Sequence, residues 1–162
     1  MIRLATSQDA VALENLATAA YSKYLDTLHT PPDALLLDYE KVAEEGNTYV
    51  IEVEQSICGM VTCIEETDFV ILRSLAVLPG FQGKGIGRQL ADFVEAEALS
   101  RGFEQVRLWT REQMHDNIHF YTQLGYEITH RKNSEDGSRV FFKKTVSPNI
   151  PSNSQSSEMV KT

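Results

Sequence analysis

The sequence predicts an α/β (α+β) domain in which helices cover a mixed central β-sheet. Short runs rich in β-branched and aromatic residues alternate with longer segments whose apolar residues recur every three or four positions. Taken along the chain, these segments give the order β-α-α-β-β-β-α-β-α-β-β. Three of the β-type runs follow one another through short polar joins, which is typical of an antiparallel meander. A sheet with helices packed on its faces accommodates both patterns.

The chain begins with a short predicted strand at Ile2–Ala5, followed by a helix. The segment Thr6–Asp9 supplies a hydroxyl cap and an early acid, and apolar residues then recur at helical spacing through Leu13–Leu28. Pro31-Pro32 ends this helix, because an interior proline removes a backbone hydrogen bond and clashes with the preceding turn. The same prolines open a second predicted helix, which runs to Gly46.

The remaining elements follow from the same two patterns. The polar joins predict meander strands at Thr48–Val53, Ile57–Glu65 and Phe69–Val77. An amphipathic helix begins at Ile86 and ends at Arg101-Gly102, because glycine favours helix termination. The last elements are predicted as a strand, a helix and a β pair at Val106–Thr110, Asp116–Leu124, Tyr126–Arg131 and Arg139–Lys144.

Composition separates the chain into two parts. Residues 1–144 show one continuous pattern of a folded domain. Residues 145–162 are rich in Ser, Asn and Pro and contain few apolar side chains, which is typical of a tail that buries no core. We therefore expect one domain over residues 1–144 and a C-terminal tail over residues 145–162.

The overall composition excludes several function classes. The 162 residues include 15 Lys+Arg and 23 Asp+Glu, so the net charge is 15 − 23 = −8, and an acidic surface repels nucleic acid. No run approaches the ~18 apolar residues of a membrane span, and the first residues lack a signal-peptide pattern. Two cysteines cannot form a disulfide framework, so a cytoplasmic, reducing location is expected. On one predicted strand, Cys58 and Cys63 are expected to pack on opposite faces, since they are five residues apart.

The loop after the fourth strand has the composition of a phosphate-binding site. Residues 80–87 contain four glycines and lead directly into a helix, whose N-terminus carries a partial positive charge. Lys84 and Arg88 add two cations, and no acidic residue occurs between Gly80 and Leu90. Consecutive backbone N–H groups in such a loop can converge on an anion. The loop is therefore predicted to bind a pyrophosphate.

The spacing of the glycines decides between families of phosphate-binding loop. A Walker A loop requires Ser or Thr after the lysine, where this chain has Gly85, and the dinucleotide fingerprint requires a different final spacing. The run Gln82-Gly83-Lys84-Gly85-Ile86-Gly87 matches the pattern Gln/Arg-x-x-Gly-x-Gly/Ala. It resembles the signature of the GNAT superfamily, the acyl-CoA-dependent N-acyltransferases. Tyr121, followed by Gly125-Tyr126, resembles the family's next helix.

The resemblance implies how acetyl-CoA would bind. In this family the fourth and fifth strands splay apart, and the thioester arm passes between them. Backbone groups of the fourth strand would bind the pantetheine arm, the loop amides the pyrophosphate, and an asparagine and a tyrosine the thioester end. The cofactor-binding residues implied are Leu75, Ala76, Val77, Gln82, Gly83, Lys84, Gly85, Ile86, Gly87, Arg88, Asn117 and Tyr121. Tyr121 would lie near the sulfur as the catalytic acid.

Two positions depart from the family pattern. Met114 stands where many members have Asn, so Asn117 is the expected polar contact. Ile71 stands where some members have a Glu that acts as general base. The general base is therefore absent or supplied by a residue outside the fourth strand. The candidate carboxylates Glu65, Glu66, Asp68 and Glu112 are each more often solvated surface acids.

Together these features predict an N-acetyltransferase that moves an acetyl group from acetyl-CoA to a primary amine, directly, in a ternary complex. The acceptor is a small molecule or a peptide, and the acidic surface favours cationic acceptors. Two other functions stay open: a non-catalytic acyl-CoA-binding module and a nucleotide-phosphate binder. His115 and His119 share a helical face without a third ligand nearby, so no metal is expected. Neither nucleic acid nor a membrane is an expected partner, and the resemblance implies that the chain can form a homodimer.

Overall fold

The computed structural model describes residues 1–135 and 137–147, which form a seven-stranded sheet with helices on both faces. Its strands are β1 (Ile2–Leu4), β2 (Thr48–Val53), β3 (Ser56–Glu65), β4 (Val70–Val77), β5 (Gln105–Arg111), β6 (Glu127–Ser134) and β7 (Gly137–Thr145). Its helices are α1 (Ala10–Tyr21), α2 (Tyr39–Glu44), α3 (Ile86–Ser100) and α4 (His115–Gln123). The sheet order is β1-β2-β3-β4-β5-β7-β6. The predicted class and element order are confirmed.

The sheet opens in its middle, between β4 and β5. These two strands are the parallel pair of a sheet whose other neighbours are antiparallel. They pair only at Val70 with Val106 and at Ile71 with Arg107, although β4 continues to Val77. Beyond Ile71 the two strands separate, which confirms the predicted splay.

Each face of the sheet has its own apolar core. Helices α3 and α4 cover one face, where Leu90, Val94 and Phe142 are almost completely buried. Helices α1 and α2 cover the other face, where Leu13 and Leu16 are equally buried. Burial of this kind contributes about 1.5–3 kcal/mol for each large apolar side chain. The two layers fix the faces of β4 and β5, and so the walls of the gap between them.

The first two helices are shorter than the sequence predicts. Helix α1 ends at Tyr21 and is followed by a 3₁₀ turn over Ser22–Tyr24. The apolar spacing continues because Tyr24 is buried without being in an α-helix. Helix α2 begins only at Tyr39, because the Asp38 side chain accepts hydrogen bonds from two backbone N–H groups and caps the helix there.

A β-bulge reverses the expected orientation of one cysteine. Ile51 pairs with Gly59 and Glu52 with Ile57, so Cys58 is an extra residue in β3. Such a bulge shifts the alternation of faces by one residue. Cys58 and Cys63 therefore bury their free thiols in the same core, on the α3 face, and the prediction of opposite faces is wrong.

Described structure continues past Lys144, the last residue of the predicted domain. Strand β7 includes Thr145, and Val146 is buried and donates its N–H to the Glu104 carbonyl at 2.9 Å. Residues 148–162 of the predicted tail lie outside the described residues. We propose that the folded domain extends at least to Val146 and that the Ser-, Asn- and Pro-rich tail begins after it.

Two truncated chains test this boundary. A chain ending at Lys144 is expected to be about 2 kcal/mol less stable than one ending at Ser147, because it loses the burial of Val146 and a backbone hydrogen bond. For a domain of this size, this corresponds to a fall in melting temperature of roughly 5 °C. The chain ending at Ser147 is expected to melt like the full chain. Equal melting temperatures for the two truncated chains would contradict the proposed boundary.

Candidate functional site

Two cavities meet in the gap between β4 and β5. The first, which we call the loop cleft, encloses about 380 Å³ beside the glycine loop and the start of α3. The second, which we call the α2 pocket, encloses about 320 Å³ between α2 and strands β3, β4 and β5. Both cavities are lined by Tyr21, Leu75 and Asn117. A ligand lying through the gap could therefore reach both cavities at once.

The loop cleft presents unoccupied backbone donors. Gly83 and Gly85 have φ of +79° and +84°, a conformation that side chains other than glycine's adopt at a cost. Gly85 is the N-cap of α3 and provides no side-chain acceptor for the first helical N–H groups. These N–H groups and the helix dipole form a site suited to a phosphate anion. The exposed Arg88 side chain adds a positive charge at the same place.

The predicted cofactor residues divide into three groups in the structure. The residues that line the loop cleft are Leu75, Ala76, Val77, Gln82, Gly83, Gly85, Gly87, Arg88 and Asn117. Two others do not line it: Lys84 extends over the Phe81 ring, with Nζ 5.5 Å from the centroid, and Ile86 is buried in the core. Tyr121 lines the α2 pocket, on the other side of the junction.

Two side chains donate hydrogen bonds to backbone carbonyl groups along the open edge of β4. The Tyr21 hydroxyl donates to the Leu75 carbonyl at 2.9 Å, and Gln82 Nε2 donates to the Val77 carbonyl at 3.0 Å. In a strand, the N–H and C=O of one residue point to the same side. The N–H groups of Leu75 and Val77 therefore also face the gap, where they can donate to a bound molecule. No sequence pattern marks this role of Tyr21, since an aromatic residue in α1 is typical of the core.

Tyr121 lies on the α2-pocket side of the junction, in an aromatic environment. Its ring packs edge-on against Phe120 and Tyr126, with centroid distances of 5.0 and 5.6 Å. Burial, and then the neighbouring Tyr21, raise the pKa of Tyr121 well above the usual value for a phenol. The hydroxyl therefore stays protonated at neutral pH and can donate a hydrogen bond.

Asn117, in the first turn of α4, lines both cavities. Its Nδ2 donates to Thr110 Oγ1 at 3.3 Å, which orients the amide along β5. Met114, which departs from the family pattern, is buried at the start of α4 and lines the α2 pocket. Asn117 is thus the polar side chain of α4 that both cavities share.

The predicted base candidates are not in either cavity. Glu65 pairs with Arg101 at 2.6 Å and Glu112 with Arg131 at 3.2 Å, and neither they nor Glu66 and Asp68 line the two cavities. Ile71 also lies outside the linings of both cavities. The carboxylates that do line the α2 pocket are Asp33, Asp38 and Glu45. They come from the segment between α1 and β2, which carries no motif.

Arg111 fixes one wall of the α2 pocket. Its side chain is only 8% exposed and donates to the Thr30 carbonyl at 2.7 Å, to Thr30 Oγ1 at 2.9 Å and to the Pro31 carbonyl at 3.0 Å. Asp33 Oδ1 is 3.8 Å from the guanidinium. Hydrogen bonds from a buried charged group are among the stronger ones in proteins. Arg111 therefore holds the segment between α1 and α2 against the end of β5.

Neither a cluster of metal-binding side chains nor a membrane-spanning helix occurs among the described residues. Among residues 1–135 and 137–147, no three His, Cys, Asp or Glu side chains are grouped so that they could hold a metal ion. In the same part of the chain, no helix has both the length and the apolar character needed to cross a membrane.

Comparison with known proteins adds to this geometry. A model of the acetyltransferase (GNAT) family matches residues 11–126, more than half of the chain. The mouse N-alpha-acetyltransferase 80 is 32% identical over 65 residues, which are 40% of this chain and 19% of that protein. An uncharacterized N-acetyltransferase of Methanocaldococcus jannaschii is 32% identical over 91 residues, 52% of this chain and 40% of that protein. The matches thus span less than half the length of these two relatives.

A solved structure has the same fold. The PaiA N-acetyltransferase from Thermoplasma acidophilum, in complex with coenzyme A, superimposes with a TM-score of 0.74. The two sequences are 17% identical, and the match covers 90% of this chain and 98% of that one. At this identity the likeness establishes the fold alone.

Proposed function

Since the chain belongs to the acetyltransferase (GNAT) family, we propose that it transfers an acetyl group from acetyl-CoA directly to a primary amine of a small molecule or peptide, in a ternary complex. The observation that carries the proposal is the meeting of the loop cleft and the α2 pocket in the gap beside Leu75. Two substrates that enter from opposite sides can react there without a covalent enzyme intermediate. The described cysteines, Cys58 and Cys63, are buried in the core.

The loop cleft would bind acetyl-CoA. The free N–H groups at the start of α3 and the Arg88 side chain suit the pyrophosphate. The N–H groups of Leu75 and Val77 suit carbonyl groups of the pantetheine arm, because β5 does not pair with this part of β4. Asn117 and Tyr121 would then contact the thioester end. The coenzyme A in the PaiA N-acetyltransferase structure, on the same fold, supports this choice of donor.

Transfer requires a neutral amine and a protonated sulfur. The amine nitrogen attacks the thioester carbonyl carbon, the C–S bond breaks, and the thiolate receives a proton. An alkylamine has a pKa of about 10.4, so it must lose its proton before the attack. Asp33 faces Arg111 and Asp38 caps α2, so we propose that this proton leaves through water, with Glu45 as the remaining carboxylate of the pocket. The Tyr121 hydroxyl, kept protonated by burial, would supply the proton for sulfur.

The second candidate is a non-catalytic acyl-CoA-binding module. It is favoured by one observation: the described cavities contain no carboxylate from β4, where some members of the family have a base. Such a module would bind CoA with the same residues and would release none from acetyl-CoA.

One set of measurements separates these functions. The full chain is incubated with acetyl-CoA and a panel of amines and peptides, and free CoA thiol and acetylated product are both measured. The proposed enzyme produces the two in equal amounts with at least one amine. Stabilisation by CoA without turnover on any amine indicates the binding module, and greater stabilisation by ATP or NAD than by CoA indicates a nucleotide binder. We also propose a cytoplasmic location, which the two free thiols support.

A further inference from the structure

The charges that line the α2 pocket differ from those of the whole chain. The chain has a net charge of −8, but the pocket contains more cationic than acidic side chains. The cations are Lys41, Arg73, Arg111 and Arg139, and the carboxylates are Asp33, Asp38 and Glu45. The predicted preference for cationic acceptors was based on the net charge of the whole chain. The acceptor meets the local charges.

Most of the pocket's carboxylates are already engaged by the protein. Asp33 lies 3.8 Å from the buried Arg111. Asp38 Oδ1 accepts the backbone N–H groups of Glu40 and Lys41 at 3.1 and 3.4 Å, in its role as the cap of α2. Within the described residues, Glu45 is thus the pocket carboxylate that has no hydrogen bond or ion pair of its side chain.

Two of the four cations, Lys41 and Arg73, are not engaged by other groups among the described residues. Arg111 is held by the segment between α1 and α2, and Arg139 donates to Ser134 Oγ at 2.8 Å. In the described part of the chain, neither the Lys41 ammonium nor the Arg73 guanidinium has a hydrogen bond, an ion pair or a ring contact. The pocket therefore offers two uncompensated cations against one uncompensated carboxylate.

Arg73, which lines the pocket, lies at a second β-bulge. Thr62 pairs with Ser74 and Cys63 with Leu72, so Arg73 is the extra residue in β4. Bulges re-aim side chains and are common beside active sites. Residues 72–75 all line the α2 pocket, and Arg73 is the cation among them.

The two cations come from different elements that line the pocket. Arg73 precedes Leu75 by two residues, which is about 7 Å along a strand. Lys41 is on α2, a different element of the pocket lining. An amine at the junction could thus have an anionic group of the same molecule between Lys41 and Arg73, a few bonds away.

We propose that the amine acceptor of this chain carries a carboxylate close to its amine, and that Lys41 and Arg73 bind this carboxylate. This inference rests on the proposed acetyl transfer and specifies its acceptor. The shared chemistry is an amine with a carboxylate, whether it comes from a free amino acid or from an acidic residue near a peptide N-terminus. Arg73 is the stronger determinant, because a guanidinium can bind a carboxylate through two hydrogen bonds.

The test uses acceptors matched in everything except charge. Peptides with an N-terminal alanine followed by aspartate are compared with the same peptides carrying asparagine, and free alanine is compared with alaninamide, which lacks the carboxylate. Acetylated product is measured at saturating acetyl-CoA, and at low and high salt. We expect kcat/KM to be at least about tenfold higher for the acidic member of the preferred pair, with a smaller ratio at high salt. The preferred pair identifies the peptide or the amino acid as the source.

Three variants assign the effect to residues. Arg73→Gln and Lys41→Gln are expected to lower kcat/KM for the acidic acceptor by about tenfold and a few-fold, through KM, and to change it less than twofold for the neutral acceptor. Lys132→Gln, on the exposed strand β6, removes the same charge outside the pocket and should leave kcat/KM unchanged for both acceptors. Equal rates for acidic and neutral acceptors, or a preference for cationic ones, would overturn this inference alone. Absence of transfer to every amine would overturn the proposed function, and this inference with it.

Discussion

Replacing Gly85 with valine is expected to abolish CoA binding while the chain stays folded. Gly85 has a φ of +84°, and no atom outside its own neighbours lies within 4 Å of the place where a Cβ would be. The substitution therefore causes no clash in the core. It forces a β-branched residue into a left-handed conformation, which costs about 1–2 kcal/mol, and places a side chain where a phosphate must approach the α3 N–H groups. The Kd for CoA should rise at least about 100-fold, a loss of about 2.7 kcal/mol.

Gly80→Val is the matched control for this experiment. Gly80 is in the same loop and also has open space around its Cβ position, but its φ is not positive and it does not line the loop cleft. Its replacement should leave the Kd for CoA within about twofold, when calorimetric titration and thermal unfolding are measured for both proteins. A folded Gly85→Val chain with unchanged CoA affinity would mean that the pyrophosphate does not bind at this loop.

The strands could be predicted closely because their signals are local. The predicted bounds of β2 are the observed ones, and β3 and β4 differ from prediction by one residue each. β-branched residues between polar joins carry this information within a few neighbouring positions. The predicted first helix is too long because apolar spacing shows only which side chains are buried. Tyr24 is buried although it lies in a 3₁₀ turn. Periodicity cannot distinguish the two conformations at the end of a helix.

The bulges at Cys58 and Arg73 could not be predicted from local pattern. Each depends on how two strands align across the sheet, and neither residue type marks a bulge. Their consequences are large, because each reverses the alternation for the rest of its strand. One places both cysteines in the same core, and the other lies at Arg73, a cation that lines the α2 pocket.

The two cavities differed in how far the sequence could describe them. The loop cleft depends on the contiguous run from Gln82 to Arg88, so its residues could be named from the sequence. The α2 pocket depends on contacts between distant segments. Arg111 and Thr30 are 81 residues apart in the chain, and Tyr21 and Leu75 are 54 apart. No spacing rule connects such positions, so Tyr21 and Arg111 were found only in the folded chain.

Replacing Tyr121 with phenylalanine is expected to lower kcat by roughly 10²–10⁴, the usual contribution of a positioned acid. The substitution removes only a hydroxyl and keeps the ring contacts with Phe120 and Tyr126. The KM for acetyl-CoA should change little, because the lost interaction stabilises the transition state more than the bound substrate. Steady-state kinetics with a fixed amine, together with thermal unfolding, would measure both effects.

Tyr126→Phe is the control, since Tyr126 is also buried beside Tyr121 but lines neither cavity. It should keep the wild-type kcat.

Because burial raises the pKa of Tyr121, the phenol stays protonated as pH rises through its ordinary pKa of about 10. Wild-type kcat/KM should therefore rise with pH as the amine loses its proton, without a fall below pH ~10. A Tyr121→Phe protein that melts normally and turns over within about threefold of wild type would make Tyr121 a packing residue. Water or the amine itself would then protonate the sulfur.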